Sequence, residues 1–219
     1  MADKDSRAGT RYADKDLIDY VDQLHAPHDD ALRRTFESAD GDAIPAIQLG
    51  VSESKLIQML MRMIGAQKVV EVGTLAGYSA IRLARGLSAG GKLWSVEYST
   101  AHAEVARANI AAAELSDRVE VIVGPGIEVL PSLAEHGPFD AVFIDADKIS
   151  YDKYGEWAAH NTRTGGLLLG DNAYYFGKLL DLKDEGAAAM RRFHEDARNH
   201  YDTVCIPTPD GLLLGIRRP

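Results

Sequence analysis

Apolar residues recur along the chain with two different periods, and the change between them divides the sequence. Over residues 1–50 a polar background carries apolar positions three and four residues apart, the spacing of one helix face. This stripe consists of Leu17, Ile18, Tyr20, Val21 and Leu24. Pro27 ends that predicted helix, and a second is expected from Asp29 to Ala39. A longer helix is predicted from about Ser52 to Ile64, with Ser52–Lys55 capping its start and Gly65 as its C-cap.

From residue 66 onward, short β-rich runs alternate with helical runs. The predicted strands are Lys68–Gly73, Gly91–Glu97, Arg118–Gly124, Phe139–Asp145, Gly166–Asp171, Tyr201–Pro207 and Gly211–Arg217. The helical runs between them are Tyr78–Leu87, Ala101–Leu115, Ile127–Glu135, Tyr151–His160 and Ala187–Asn199. Strands that alternate with helices form right-handed βαβ units and a parallel sheet. The last two strands are joined by the turn Thr208–Gly211, which is too short for a helical crossover, so they pair antiparallel.

The predicted fold class is therefore α/β, with a doubly wound and mainly parallel seven-stranded sheet, an antiparallel C-terminal hairpin, and helices on both faces. The length of 219 residues fits one domain. Within it, residues 1–50 are expected to form a helical cap and residues 51–219 the α/β core. We find no internal repeat and no Gly/Ser-rich or Pro-rich linker between the two parts.

Composition and charge narrow the class of protein. With 46% hydrophobic and 26% charged residues, the chain has the composition of a globular domain. Its net charge of −9, from 24 Lys and Arg against 33 Asp and Glu, disfavours binding to nucleic acid or to an anionic membrane. Cys205 is the only cysteine, so no internal disulfide forms. Together with the absence of an apolar leader after Met1, this favours a cytoplasmic location.

In sheets of this type ligands bind at the carboxyl ends of the strands, and the first two strands end in candidate ligand groups. Strand one runs into a turn in which Gly73 and Gly77 permit a close backbone approach. The dinucleotide pattern G-x-G-x-x-G is absent, because Leu75 and Tyr78 stand where it needs glycine. Strand two ends in Glu97, placed to accept hydrogen bonds from both hydroxyls of a ribose. Taken singly, the turn at Gly73 and Gly77 has the alternative of a plain strand-to-helix turn, and Glu97 that of a surface acid. Taken together, the ends of strands one and two suggest an adenosine-type ligand.

Strands four and five end in oxygen-bearing side chains. Asp145 follows strand four, Asp171 and Asn172 follow strand five, and adjacent strands would bring them together. Such a set suits a hard cation such as Mg²⁺, although a lone Asp at a strand end is more often a turn or cap residue. Lys148 is either a surface lysine or a general base acting on a hydroxyl beside the metal. Four histidines outside any zinc-site spacing are expected at the surface or at helix caps: His25, His28, His194 and His200.

Three motifs, in this order and at this spacing, resemble one family. They are Gly65–Ser79, Phe139–Lys148 and Gly170–Asn172. The combination is similar to that of the cation-dependent O-methyltransferases, the S-adenosylmethionine enzymes typified by catechol and caffeoyl-CoA O-methyltransferases, from about residue 45 to the C-terminus. The resemblance implies a Rossmann-like methyltransferase fold, S-adenosylmethionine and Mg²⁺ or another divalent cation as cofactors, and methylation of one hydroxyl of a catechol.

The resemblance also implies a role for each candidate residue. The cofactor-binding set is Leu49, Glu71, Gly73, Thr74, Tyr78, Ser79, Glu97, Gly126 and Asp145. In that set, Glu71, Gly73 and Ser79 match contacts to the methionine end of the cofactor, Glu97 matches the ribose acid, and Gly126 belongs to a segment beside the adenine. The metal set is Asp145, Asp171 and Asn172, and the catalytic set is Lys148 with Asp145. The acceptor-side set is Ile47, Lys148, Asn172, Tyr174 and Tyr175.

The segment after Asn172 departs from the family pattern. The family often carries an aliphatic residue, tryptophan and glycines there, whereas this chain has Ala173–Lys178 with Tyr174, Tyr175 and Phe176. These aromatic residues are expected to wall the acceptor pocket, or else to pack against a dimer partner or the N-terminal helices. A homodimer is what the family suggests, with the first 45 residues covering the active site or a dimer face.

A small catechol of secondary metabolism is the favoured acceptor. Three other interpretations stay open at this point: a caffeoyl-CoA-like ester as acceptor, an NAD(P)-dependent oxidoreductase on a similar sheet, and a non-catalytic protein that binds S-adenosylmethionine. The absence of G-x-G-x-x-G and the antiparallel terminal hairpin argue against the oxidoreductase. The presence of Lys148 and of all three candidate metal ligands argues against the non-catalytic protein.

Overall fold

The strands form one mixed sheet in a computed structural model that describes residues 3–8, 13–40 and 44–219. They are β1 (Lys68–Val72), β2 (Lys92–Glu97), β3 (Val119–Val123), β4 (Phe139–Ile144), β5 (Thr162–Gly170), β6 (Tyr201–Ile206) and β7 (Leu212–Arg217). Their order across the sheet is β3-β2-β1-β4-β5-β7-β6. Strands β1 to β5 pair in parallel, whereas β7 is antiparallel to both β5 and β6. The predicted sheet and hairpin are confirmed, and the hairpin folds back so that the reversed strand lies one position in from the edge.

Helices pack on both faces of the sheet. The helices of the described residues are α1 (Lys4–Arg7), α2 (Lys15–His25), α3 (Asp30–Glu37), α4 (Val51–Met63), α5 (Tyr78–Gly86), α6 (Thr100–Ala112), α7 (Gly126–Leu133), α8 (Tyr151–Asn161) and α9 (Glu185–His200), with 3-10 turns at Ala134–His136 and Lys148–Ser150. Successive strand residues point to opposite faces, so Val69 joins the core under α4, α5 and α6, and Val70 joins the core under α7, α8 and α9. No helix in the described part of the chain is long and apolar enough to cross a membrane.

Strand β5 is longer than predicted at its start. It begins at Thr162, which pairs with Phe139, and the register then shifts before Ala141 pairs with Leu167. Gly165 has a φ of 75°, a left-handed conformation that glycine tolerates. The predicted start at Gly166 lies after this irregularity, at the second of two adjacent glycines.

The start of α4 differs from the predicted capping by Ser52–Lys55. Gly50 precedes the helix, and no side chain caps its first turn. The Ser54 hydroxyl instead lies 2.8 Å from the carbonyl oxygen of Val51 and 2.9 Å from the Tyr78 hydroxyl. The sequence pattern does not distinguish a serine that caps a helix from a serine that is buried. The packing of α4 against α5 decides between the two roles. The predicted C-cap is found, because Gly65 follows the helix with a φ of 62°.

Burial in the N-terminal region differs from the prediction at α2 and at His28. Helix α2 has no buried residue, so its predicted apolar stripe is not part of the core. His28, expected at the surface or at a cap, is half-buried, and its Nε2 lies 2.7 Å from the Tyr78 hydroxyl. The ring of Phe36 packs against both His28 and Tyr78. The segment between α2 and α3 is therefore tied to the first residue of α5.

Candidate active site

A cavity of about 660 Å³ opens at the carboxyl ends of the strands, on the side where β1 and β4 lie next to each other. Its walls come from the segments that follow β1, β2, β3, β4 and β5, together with residues 45–49 before α4. The strand order reverses at β1 and β4, which is where open α/β sheets bind their ligands. The volume is within the range of roughly 300–1,000 Å³ typical of small-molecule sites.

The glycine that follows β1 is required by protein packing. A Cβ atom on Gly73 would lie 1.8 Å from the carbonyl oxygen of Asp145, because the ends of β1 and β4 touch at this point. Gly73 also has a φ of 99°, which disfavours any L side chain. The close approach at Gly73 is therefore made by the backbone of Asp145, and the predicted close approach of a ligand to this turn stays a prediction. Gly77, with a φ of 89°, is the N-cap residue that precedes α5.

Glu97 organises the loop between β1 and α5. Its Oε2 accepts hydrogen bonds from the backbone N–H groups of Thr74 at 3.1 Å and Leu75 at 2.8 Å, and its Oε1 accepts one from Ser99 at 2.9 Å. The carboxylate lines the cavity while remaining almost fully buried. Three backbone donors fix its orientation, and Oε1, which accepts only one of them, has capacity for a further bond. Glu97 is thus held in place to receive hydroxyl groups of a ligand.

Glu71 is a fully buried acid next to the cavity wall. Its Oε2 accepts a hydrogen bond from the Ser95 hydroxyl at 2.5 Å, and it also contacts Ser79, which lines the cavity. Its Oε1 is buried and has no hydrogen-bond partner among the described residues. Burial raises the pKa of Glu71 to about 7. A buried carboxylate with an unused oxygen fits a cationic group of a ligand, such as an ammonium.

Lys148 and Asp145 meet at the other side of the cavity. Lys148 starts the 3-10 turn after β4, and its Nζ lies 3.2 Å from Oδ1 of Asp145 and 3.0 Å from the Tyr151 hydroxyl. That hydroxyl lies 3.0 and 2.9 Å from the carbonyl oxygens of Ile144 and Asp171, at the ends of β4 and β5. The fully buried Tyr151 therefore fixes the lysine relative to both strand ends. The predicted placement of Lys148 over the site is found.

The carboxylates of Glu53, Asp145 and Asp171 and the amide of Asn172 form an acidic cluster at the ends of β4 and β5. Because Ile144 pairs with Gly170, the residues that follow them, Asp145 and Asp171, leave the sheet at the same level. Burial and the charges of Asp145 and Glu53 raise the pKa of Asp171. Asn172, with a φ of 53°, lines the cavity beside them. Among the described residues no group of three or more His, Cys, Asp and Glu side chains is placed to hold a metal, and the predicted set has an amide as its third member.

The family model described as O-methyltransferase matches residues 25–218. The chain belongs to this O-methyltransferase family. A catechol O-methyltransferase of Niastella koreensis is 40% identical over 208 residues, covering 90% of this chain and 94% of the relative. A catechol O-methyltransferase of Mycobacterium tuberculosis is 40% identical over 211 residues, covering 93% of this chain and 96% of the relative.

The fold of this methyltransferase is also that of a solved family structure. The O-methyltransferase from Bacillus cereus in complex with S-adenosylhomocysteine (SAH) superposes with a TM-score of 0.88 at 34% identity, covering 93% of this chain and 97% of that one. The predicted class of S-adenosylmethionine-dependent O-methyltransferase is confirmed by these relatives and the family match. The oxidoreductase interpretation is therefore excluded.

Most of the predicted site residues of the methyltransferase line the cavity. These are Ile47, Leu49, Gly73, Thr74, Tyr78, Ser79, Glu97, Gly126, Asp145, Lys148 and Asn172. The predicted residues outside the lining are Glu71, Asp171, Tyr174 and Tyr175. Glu71 and Asp171 are buried directly behind it. The Tyr175 hydroxyl donates to Asp184 at 2.9 Å, at the start of α9, and Phe176 lines the cavity mouth instead.

Sequence reasoning missed two residues of this site. Glu53 was grouped with the cap of α4, but it lies beside Asp171 and Thr208 in the acidic cluster. Nothing in the sequence signals this, because the contact joins α4 to the end of β5. Tyr151 was assigned only as the first residue of a helix. Its position three residues after Lys148 is a usable signal, since an i, i+3 pair at a helix start brings two side chains together.

Proposed function

We propose that this methyltransferase transfers a methyl group from S-adenosylmethionine to one hydroxyl of a small catechol, with Mg²⁺ or another divalent cation as cofactor. The observation that carries the proposal is that Lys148, Asp145 and Asn172 line the same cavity, with Asp171 buried immediately before Asn172 in the chain. Oxygen ligands of this kind suit a hard cation, and a lysine beside them suits deprotonation of a hydroxyl. The two catechol O-methyltransferase relatives support the same acceptor class.

The residues that would hold the cation are Asp145, Asp171 and Asn172. The Glu53 carboxylate lies near Asp171, but among the described residues it does not complete a group of three acids around one metal position. The donor set fits a divalent cation because it is made of carboxylate and amide oxygen atoms, the ligands that hard cations prefer. When bound, the cation would lower the pKa of a hydroxyl lying against it.

The chain's own residues position the acceptor and take up its proton. Lys148 Nζ, in its neutral form, would accept the proton from the reacting hydroxyl, while Asp145 and Tyr151 hold the amine in place. The hydroxyl oxygen forms a bond to the methyl carbon as the carbon–sulfur bond breaks, so the products are an aryl methyl ether and S-adenosylhomocysteine. Holding both reactants in one cavity supplies much of the rate, because the reaction becomes effectively unimolecular.

Charges in the cavity favour a small catechol over a CoA ester. The basic side chains that line it, among the residues described, are Lys148 and His102. Both face acids, since Lys148 pairs with Asp145 and a ring nitrogen of His102 lies 3.5 Å from Glu97. Asp147 adds a further carboxylate to the walls. The phosphate groups of a CoA ester would therefore gain no paired cation here, whereas an uncharged or cationic catechol meets no such penalty.

The proposal is tested by measuring methyl transfer to a panel of small catechols and to a caffeoyl ester, with Mg²⁺ and with EDTA. We expect transfer to small catechols, loss of turnover with EDTA, and recovery when Mg²⁺ is added back. Turnover that EDTA leaves unchanged would contradict the metal requirement. A preference for caffeoyl-CoA would contradict the acceptor assignment and support the ester alternative. The homodimer and the cytoplasmic location implied by the sequence stay predictions.

Replacing Lys148 with alanine is expected to lower kcat by about 100-fold or more, with a smaller change in KM for the acceptor. The reason is that Nζ would act on the proton lost in the transition state, whereas binding of the acceptor would depend chiefly on the residues that hold the cation. Steady-state kinetics of Lys148→Ala measure this, with Lys153→Ala as the control because Lys153 is exposed on α8. An unchanged kcat would return Lys148 to the alternative of a surface lysine.

A further inference from the structure

We propose that Asp210, in the turn between β6 and β7, is a positioning residue that sets acceptor specificity by holding Phe176 at the mouth of the cavity. The inference rests on the proposed function, since it concerns the side of the same cavity that would receive a catechol. Nothing in the family resemblance stated above assigns a role to this turn. The proposal follows from the contacts of the segment that leads from Asn172 to Phe176.

Asp210 binds that segment through its side chain and its backbone. The N–H of Phe176 donates to both carboxylate oxygens of Asp210, at 2.9 and 3.1 Å. The carbonyl oxygen of Asp210 accepts from the N–H of Tyr174 at 2.8 Å. The carbonyl oxygen of Gly211 accepts from the N–H of Ala173 at 2.9 Å. The acceptor-side segment is therefore joined by four contacts to a turn more than 30 residues away in sequence.

The segment needs such support because its backbone is strained. Tyr175 and Phe176 have φ values of 51° and 52°, in the left-handed region that aromatic residues rarely adopt. Such conformations persist only where the surroundings hold them. The turn between β6 and β7 also packs closely against the segment, since a Cβ atom on Gly211 would lie 2.8 Å from the ring of Tyr174. Asp210 supplies the charged acceptor at the strained end of the segment.

The result is an apolar ring at the mouth of the cavity. Phe176 is 63% exposed and yet lines the cavity together with Asn172 and Lys148. An exposed phenyl ring beside the candidate metal ligands offers a face or an edge to the ring of a bound catechol. How a catechol is turned against this ring decides which of its two hydroxyls lies next to Lys148. The position of Phe176, and hence Asp210, would then affect both acceptor affinity and the choice of hydroxyl.

The test compares Asp210→Ala, Asp210→Asn and Phe176→Ala with the wild type on a catechol that carries one ring substituent. For Asp210→Ala and Phe176→Ala we expect the acceptor KM to rise roughly three- to tenfold. We also expect a changed ratio of the two O-methyl isomers and an unchanged dissociation constant for S-adenosylmethionine. Asp210→Asn keeps one acceptor oxygen and should give the smaller change. The double variant should resemble Phe176→Ala, because both changes act through the same ring.

Asp140→Asn is the matched control. Asp140 accepts hydrogen bonds from the backbone N–H groups of Gln67 and Lys68, but at the opposite end of the sheet. This variant should lower the melting temperature without changing the isomer ratio. An unchanged acceptor KM and isomer ratio in folded Asp210→Ala, or in Asp210→Asn if only that variant folds, would overturn the inference while leaving the proposed function standing. A wild-type enzyme that methylates no catechol would instead overturn the proposed function.

Discussion

Alanine in place of Asp145 should abolish metal-stimulated methyl transfer while the protein stays folded. Asp145 is the one residue that belongs to the candidate metal set and also contacts Lys148, at 3.2 Å. Its loss would remove a candidate ligand and also one of the two side-chain contacts that hold the lysine, so we expect turnover to fall by at least about 100-fold. The melting temperature of the wild type with S-adenosylmethionine should rise when Mg²⁺ is added, and that rise should disappear in Asp145→Ala.

Two further measurements make this prediction specific. Asp152→Asn serves as the control, because Asp152 pairs with Arg192 on α8 and α9, outside the cavity. This variant should keep wild-type turnover and the Mg²⁺-dependent rise in melting temperature. Turnover like that of the wild type in Asp145→Ala, or an equal response of its melting temperature to Mg²⁺, would contradict the assignment of Asp145 as a metal ligand.

Glutamine in place of Glu71 should stabilise the ligand-free protein at pH 8 and weaken binding of S-adenosylmethionine. Burial raises the pKa of Glu71 from an ordinary value of 4.5 to about 7. Between these pH values the folded protein binds a proton that the unfolded chain has lost, so the free energy of unfolding falls as the pH rises through this window. Above pH 7 the cost is about 3 kcal/mol, and a neutral glutamine avoids it.

The unfolding free energies of wild type and Glu71→Gln, measured with urea at pH 4.5 and pH 8, give the test. The two proteins should be alike at pH 4.5, and the variant should be more stable at pH 8. Glu120→Gln is the control, since Glu120 is a half-exposed acid on β3 that pairs with Lys92. A pH dependence of Glu71→Gln parallel to that of the wild type would contradict the burial argument. Unaltered binding of S-adenosylmethionine by Glu71→Gln would remove Glu71 from the cofactor site.

Local patterns were sufficient to predict the sheet and much of the site. Alternating β-rich and helical runs predict parallel strands, and parallel strands place their carboxyl ends on one edge of the sheet. Glu97 and Asp145 are the residues at or just after the ends of β2 and β4, and Lys148 is one short turn beyond Asp145. For such residues, the position along the chain is enough to predict the position in the fold. The sequence therefore determined the fold class, the edge of the sheet at which the cavity opens, and the position of Lys148 on the turn that follows Asp145.

The tertiary structure decided the contacts between elements that are distant in the chain. It placed Glu53 of α4 beside Asp171, joined His28 to Tyr78, and turned Tyr175 away from the cavity and Phe176 towards it. Each of these depends on how a helix or loop packs on the finished sheet, and periodicity carries no information on such packing. The physical reason is that a strand end is set by local hydrogen bonding and alternation, whereas the neighbour of a helix face or a strained loop is chosen by burial and by backbone partners far away in sequence.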